Sequence, residues 1–203
     1  VRPAAPILLT GLVLSGAWPA FAETDWSKSF VATFEAACVP ERLSYEGTLS
    51  NAIAEGWSKF DPARHAEFLA MMSQVAASVE EDAEELDMTF VSETLSKEVA
   101  ERPLHLVVSF VKSEYLDSVG CYLYDFDATE PVASSAVSNL LGVKPAQIHR
   151  DETIEGAVWG PPPSMPRTLD TYLTYIPPGS PLVTMAGFDG GVLKFTTSAP
   201  ERD

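Results

Sequence analysis

Apolar residues recur every third or fourth position through the first third of the chain, which is the spacing of one face of an α-helix. The first such stripe is Trp26, Phe30, Phe34 and Cys38. Because proline lacks the N–H that a helix interior needs, Pro40 should end this helix soon after the cysteine. The sequence therefore predicts a first helix whose apolar face ends in Cys38.

Two more helices are predicted before the pattern changes. The second covers 44–55, where Ser44 is placed to cap the start and Gly56 to close the end. The third begins at Asp61-Pro62, because an aspartate followed by proline is a common way to start a helix. Its apolar side carries Phe68, Met72, Val75 and Val79.

From position 88 onward apolar and polar residues alternate, and β-branched and aromatic residues become frequent. A helix over 131–141, with Gly142 just past its end, interrupts the strands. The predicted strands cover 88–95, 104–111, 121–126 and 168–176.

The segment around Asp189-Gly190 has two interpretations. A tight turn there predicts a hairpin between strands at 182–186 and 192–197. Ser180-Pro181 instead favours a short helix at 180–187, and the sequence leaves that alternative open.

Helices first and strands later, without strand and helix alternating, predict an α+β fold. We expect a single domain over 23–203, with the N-terminal helices packed on a mainly antiparallel sheet.

Residues 1–22 have a different pattern, typical of a secretory signal peptide. Arg2 precedes an apolar stretch at 7–17 that is too short to span a bilayer. The small residues Ala20 and Ala22 stand at the positions that a signal peptidase requires to be small. We expect cleavage between Ala22 and Glu23, the alternative being an uncleaved anchor. The product is then a soluble periplasmic or secreted protein, with no membrane insertion after processing.

Composition narrows the classes of partner. The 203 residues are 46% apolar, which excludes a disordered chain. They carry 29 acidic against 13 basic residues, a net charge of −16, and no basic cluster. Since such a chain repels phosphate backbones, we expect no nucleic-acid partner.

The cysteine content fits an exported protein. Cys38 and Cys121 form an even pair, which in an oxidising compartment predicts a disulfide. A redox role would favour a C-x-x-C motif or a thiol beside a cation, and neither occurs.

The N-terminal half carries a weak resemblance. Its elements are Phe34, Cys38, Pro40 and Arg42, then Gly56-Trp57 after an amphipathic stretch. In these residues the chain resembles a loose group of small secreted proteins from alphaproteobacteria that has no assigned activity. The resemblance implies export and a paired cysteine, and it implies no site residues.

Candidate chemistry is sparse. His65, His105 and His149 are scattered, with no metal-binding spacing. We expect His65 to be exposed to solvent, His105 to be a partly buried strand residue and His149 to lie in a polar connection, none with a chemical role. No G-x-S-x-G motif occurs, and the acidic run over 80–87 lacks the spacing of a calcium loop and is expected to be a solvated helix end. The sequence predicts no catalytic residue, no bound metal and no cofactor.

Aromatic residues in the last quarter suggest a ligand site. Trp159 and Tyr172 are placed to form a shallow platform for a sugar or peptide, although ordinary packing explains them as well. The sequence thus favours a non-catalytic binding or interaction module, with an unknown protein or small-molecule partner. The alternative is a periplasmic hydrolase of cell-wall or peptide material that uses His105 or His149 beside an acidic residue.

Overall fold

The computed structural model describes residues 25–86, 88–113 and 117–198, with the backbone alone over 82–86. The signal peptide predicted over 1–22 lies outside the described residues. The helices are α1 (Asp25–Cys38), α2 (Tyr45–Ala54), α3 (Ala66–Leu86), α4 (Ser134–Leu141) and α5 (Val183–Ala186). The strands are β1 (Ser58–Lys59), β2 (Thr89–Val99), β3 (Arg102–Lys112), β4 (Ser118–Asp125), β5 (Gln147–Arg150), β6 (Glu155–Trp159), β7 (Thr168–Ile176) and β8 (Gly190–Ser198).

The strands form one antiparallel sheet, and the predicted α+β class is confirmed. Within the described residues the order is β1-β2-β3-β4-β8-β7-β6-β5. After β4 the chain passes through α4 to the far edge, and then returns strand by strand until β8 pairs with both β4 and β7. The outer strand β5 is therefore exposed along one edge of the sheet.

Both faces of the central strands are buried, because alternate residues of these strands enter two apolar clusters. On β3, Leu104, Leu106 and Val108 belong to the larger cluster, and Val107 belongs to the smaller one. The larger cluster also contains residues of α1, α2 and α4, and Phe34 meets Phe195 edge to face with ring centroids 5.2 Å apart. The smaller cluster contains Phe68, Met71, Tyr124, Phe126, Ile176, Phe188 and Val192.

The first two helices form as the sequence predicts. Ser44 caps α2, its hydroxyl accepting from the backbone N–H of Gly47 at 3.0 Å. The side-chain amide of Asn51 donates to the carbonyls of Ala36 and Ala37, at 2.7 and 3.1 Å. These bonds satisfy carbonyls that the end of α1 leaves without helical partners, and they fix the angle between the two helices.

The predicted start of the third helix is wrong. Asp61 caps a separate turn of 3₁₀ helix, Pro62–Arg64, and α3 begins only at Ala66. His65 separates the two, and its Nδ1 accepts from the backbone N–H of Phe68 at 3.3 Å. A histidine thus caps α3, which the sequence pattern did not indicate.

The predicted hairpin at 182–197 is also wrong, and the alternative of a short helix is correct. The Ser180 hydroxyl accepts from Leu182 N–H at 3.2 Å, and α5 ends at Gly187 with φ +80°. A left-handed residue of this kind ends a helix and reverses the chain. Because α5 replaces the first strand of the predicted hairpin, β8 pairs with β7, the preceding strand, and with β4.

The predicted disulfide between Cys38 and Cys121 is confirmed, with Cα atoms 5.9 Å apart and both residues fully buried. It joins the end of α1 to β4 inside the larger cluster. Across the described ranges, no helix has both the length and the hydropathy that a bilayer span requires.

Candidate functional site

The predicted aromatic platform does not form. Trp159 is fully buried in the larger cluster, where its indole N–H donates to Ser138 Oγ at 3.1 Å. Tyr172 is 37% exposed. It pairs across the sheet with Val158, the neighbour of Trp159, so the two rings lie on opposite faces. Trp159 is therefore a core residue, and Tyr172 alone is open to solvent.

His105 lies in an aromatic cage and is 2% exposed. The ring centroids of Phe60, Phe68 and Phe126 lie 4.7, 5.1 and 5.3 Å from its own. Burial, reinforced by the charge of His65 and partly opposed by Asp127, lowers the pKa of His105 to about 4. With its pKa lowered in this way, the ring is neutral at neutral pH. Its Nδ1 has no hydrogen-bond partner among the described residues.

Glu67 lies on α3 next to Phe68, one of the aromatic residues of this cage. Burial and the charge of Asp189 raise its pKa, and the charge of His65 opposes them. Its Oε2 is buried without a partner among the described residues. Both Glu67 and His105 have shifted pKa values, yet neither lines the two pockets described below.

His149 has a different setting, in the exposed hairpin of β5 and β6. Its Nε2 lies 2.7 Å from Asp151 Oδ2. The other oxygen of Asp151 accepts from the Thr153 hydroxyl and from the N–H groups of Thr153 and Ile154. These bonds, first of all that from the Thr153 hydroxyl, lower the pKa of Asp151. The pair therefore belongs to a turn that closes the hairpin.

A pocket of about 140 Å³ lies between the start of α4 and the outer strands β5, β6 and β7. Its apolar wall comes from residues on the same face of the sheet as the larger cluster. The lining residues are Pro131, Val132, Ala133, Ser134, Ser135, Ile148, Arg150, Glu155, Gly156, Ala157, Leu173 and Tyr175.

The start of α4 forms one wall of this pocket. The Ala133 N–H donates to Ser27 Oγ at 3.0 Å, which ties the segment before α4 to α1. Because alanine has no side-chain acceptor, no side chain caps α4 at this position. Ser134 and Ser135, in the first turn of α4, line the pocket, so the positive end of the helix dipole lies beside it.

The charged groups of the pocket are a cross-strand pair, Arg150 on β5 opposite Glu155 on β6. Arg150 Nε lies 3.3 Å from Glu155 Oε2, and the two side chains are 31% and 24% exposed. Tyr175 is 7% exposed and also lines the pocket. Its pKa is raised by burial first and then by the charges of Asp189, Glu155 and Glu130. One cation, one anion and a phenol thus lie at the end of an apolar wall.

A second pocket, of about 90 Å³, lies between α3 and the sheet. Its polar lining groups are hydroxyls, and that of Tyr122 is hydrogen-bonded to Ser109. It therefore offers a ligand apolar contact and no charged group. The lining residues are Met71, Met72, Val75, Phe90, Val107, Ser109, Tyr122 and Tyr124.

The pocket beside α4 was missed from the sequence because β5 has no alternating pattern. All residues of β5 are exposed, and the segment around His149 therefore looks like a polar connection. The strand exists because it pairs with β6, a contact that a single sequence does not reveal. The sequence feature that could have indicated this part of the sheet is the alternation over Glu155–Trp159. It places Glu155, Ala157 and Trp159 on one face of a strand.

No protein-family model, no curated protein and no solved structure matches the chain. The resemblance to small secreted proteins of alphaproteobacteria therefore stays a prediction. The geometry of the pocket is the observation that bears on function.

Proposed function

We propose that the protein is an exported binding protein of the bacterial envelope, which holds a small molecule with an apolar body in the pocket beside α4. The observation that carries the proposal is the lining of that pocket. A concave apolar wall with a few polar groups at one end is the usual form of a small-molecule site. Here the wall includes Ile148, Ala157 and Leu173, and the polar end holds Arg150 and Glu155.

The same lining favours binding over hydrolysis. Ser134 and Ser135 are the hydroxyl groups at the start of α4, and a serine nucleophile needs a base within hydrogen-bond reach. No histidine is among the lining residues that the structure describes. His105 is shielded by its aromatic cage and His149 belongs to a turn, so neither is the base that the hydrolase alternative needs.

Export is supported by the disulfide, since such bonds persist in oxidising compartments. We propose a periplasmic or secreted location, reached by cleavage between Ala22 and Glu23. N-terminal sequencing of the protein recovered outside the cytoplasm should therefore read from Glu23. Recovery of an exported protein that still begins before the apolar stretch at 7–17 would contradict this cleavage.

The pocket is tested by shortening its exposed wall. Ile148 is 54% exposed, so Ile148→Ser should leave the fold intact while it removes apolar contact from the ligand. We expect the full chain to bind isoamyl alcohol, a neutral probe with a branched apolar body. The variant should bind it about fivefold more weakly, which corresponds to a loss of about 1 kcal/mol of apolar contact with the ligand. Titration followed by NMR amide shifts measures both affinities.

Ile53→Ser is the matched control, because Ile53 is 52% exposed and lies on α2, away from the pocket. It should bind the alcohol as the unmodified chain does. Equal weakening in both variants, or no binding to the unmodified chain up to the solubility limit of the alcohol, would exclude the pocket as a binding site.

A further inference from the structure

We infer that the ligand of this pocket is a free α-amino acid with a branched aliphatic side chain. The inference rests on the proposed function and adds the chemical class of the ligand. It follows from the charge pair at the polar end of the pocket and from the size and polarity of the wall.

Arg150 and Glu155 are paired through one atom each. Arg150 uses Nε, which leaves its two terminal nitrogens without a hydrogen bond to any residue that the structure describes. Glu155 uses Oε2, and its other oxygen is likewise open to accept. A guanidinium with free terminal nitrogens binds a carboxylate, and a free carboxylate oxygen accepts from an ammonium. The pair therefore offers one position for each charged group of an amino acid.

The spacing of these positions favours two charges on the same carbon. The paired atoms of Arg150 and Glu155 are 3.3 Å apart, and the terminal nitrogens and the other carboxylate oxygen each lie two bonds from those atoms. A ligand that meets both free positions therefore needs its carboxylate and its ammonium close together. In a free α-amino acid both groups are attached to one carbon. In a peptide they are at opposite ends of the molecule, and each added residue moves them up to about 3.5 Å further apart.

The charge balance also favours a zwitterion. The lining has one cation and one anion whose paired atoms are 3.3 Å apart, so a ligand with a single charge meets an opposite charge on one group and a like charge on the other. The chain as a whole has a net charge of −16, and this charge repels a ligand that is a simple anion. A zwitterion brings no net charge and matches both groups. Its carboxylate also faces the positive end of α4, where Ser134 and Ser135 line the pocket.

The apolar wall of the pocket determines the size and polarity of the side chain that the amino acid ligand carries. A dry cavity of roughly 150 Å³ holds a molecule of the size of benzene. This pocket has about 140 Å³ and is walled by Val132, Ile148, Ala157 and Leu173. A four-carbon branched side chain fits that volume and contacts aliphatic carbon on several sides.

Three matched ligands test the inference on the unmodified full chain by isothermal titration calorimetry. L-Leucine has both charges, isocaproate lacks the ammonium, and isoamylamine lacks the carboxylate. Leucine should bind about tenfold or more tightly than either analogue, because each analogue loses one charge-assisted contact. Binding of either analogue as tightly as leucine would overturn the amino acid while leaving the pocket as a binding site.

Variants of the charge pair provide the second test. Arg150→Gln and Glu155→Gln should each weaken leucine binding about tenfold while leaving the binding of isoamyl alcohol unchanged. Glu93→Gln is the matched control, because Glu93 pairs with Lys59 at 3.0 Å on the strands at the other end of the sheet. Leucine binding that is unchanged in both pocket variants would overturn the inference. If leucine does not bind while isoamyl alcohol binds normally, the amino acid inference is overturned and the proposed function stands. If neither leucine nor the alcohol binds, the proposed function is overturned as well.

Discussion

Reduction of the disulfide between Cys38 and Cys121 should lower the free energy of unfolding by about 2 to 4 kcal/mol. The bond closes a loop of 83 positions, and its loss gives the unfolded chain a large amount of conformational freedom. The folded chain loses little, because both cysteines are fully buried in the larger cluster and remain packed there. Urea unfolding with and without dithiothreitol measures the difference.

The double variant Cys38→Ala with Cys121→Ala is the control for this experiment. It should unfold at lower urea than the oxidised chain and should not respond to dithiothreitol. An unfolding midpoint of the unmodified chain that is the same in both redox states would show that the bond adds nothing to stability. The covalent link between α1 and β4 would then not be a main source of stability.

Protonation of His105 should make the fold less stable in acid. Its pKa is about 4 in the folded chain, because of burial first and the charge of His65 second. The ordinary value of about 6.5 applies to the unfolded chain. Between these values the unfolded chain binds a proton that the folded chain does not, so stability falls as the pH falls from about 6.5 to 4. From neutral pH to about pH 4.5 the loss from this group should be about 2.5 kcal/mol.

His105→Phe isolates this contribution, because phenylalanine fills the cage without titrating. Between neutral pH and about pH 4.5, the free energy of unfolding of the variant should fall by about 2.5 kcal/mol less than that of the unmodified chain. The raised pKa of Glu67 acts in the opposite sense, with stability lost as the pH rises, and it is present in both chains, so to a first approximation it cancels.

His149→Gln is the control for a histidine in an exposed turn, where Asp151 is its partner. It should keep the acid sensitivity that His105 confers. The same pH dependence in the His105→Phe variant and the unmodified chain would show that His105 is not the source.

The periodicity of the sequence predicted the helix and the strand that each direct one face into the larger cluster. Residues 104–111 alternate clearly, and Leu104, Leu106 and Val108 indeed enter one cluster. The first stripe, ending in Cys38, likewise placed the disulfide in the core. These patterns succeed because residues that face the same cluster recur at a fixed period, every second residue in a strand and every third or fourth in a helix.

The pocket was beyond this kind of reasoning. It depends on β5, which is held by its pairing with β6 and not by burial, and on α4 lying above the outer strands. Trp159 was predicted to be near a ligand because it is a large ring beside a proline-rich loop, yet the larger cluster buries it completely. A single sequence does not distinguish a ring that packs in the core from one that binds a ligand, because both uses require the same side chain.

Amide chemical shifts of the isotope-labelled full chain, recorded during titration with L-leucine, show which pocket holds the ligand. The proposed site predicts that the largest changes occur at the pocket beside α4, in Ser134, Ser135, Arg150 and Glu155. Changes centred on the pocket beneath α3, around Met72 and Tyr122, or no saturable change at any residue, would contradict it.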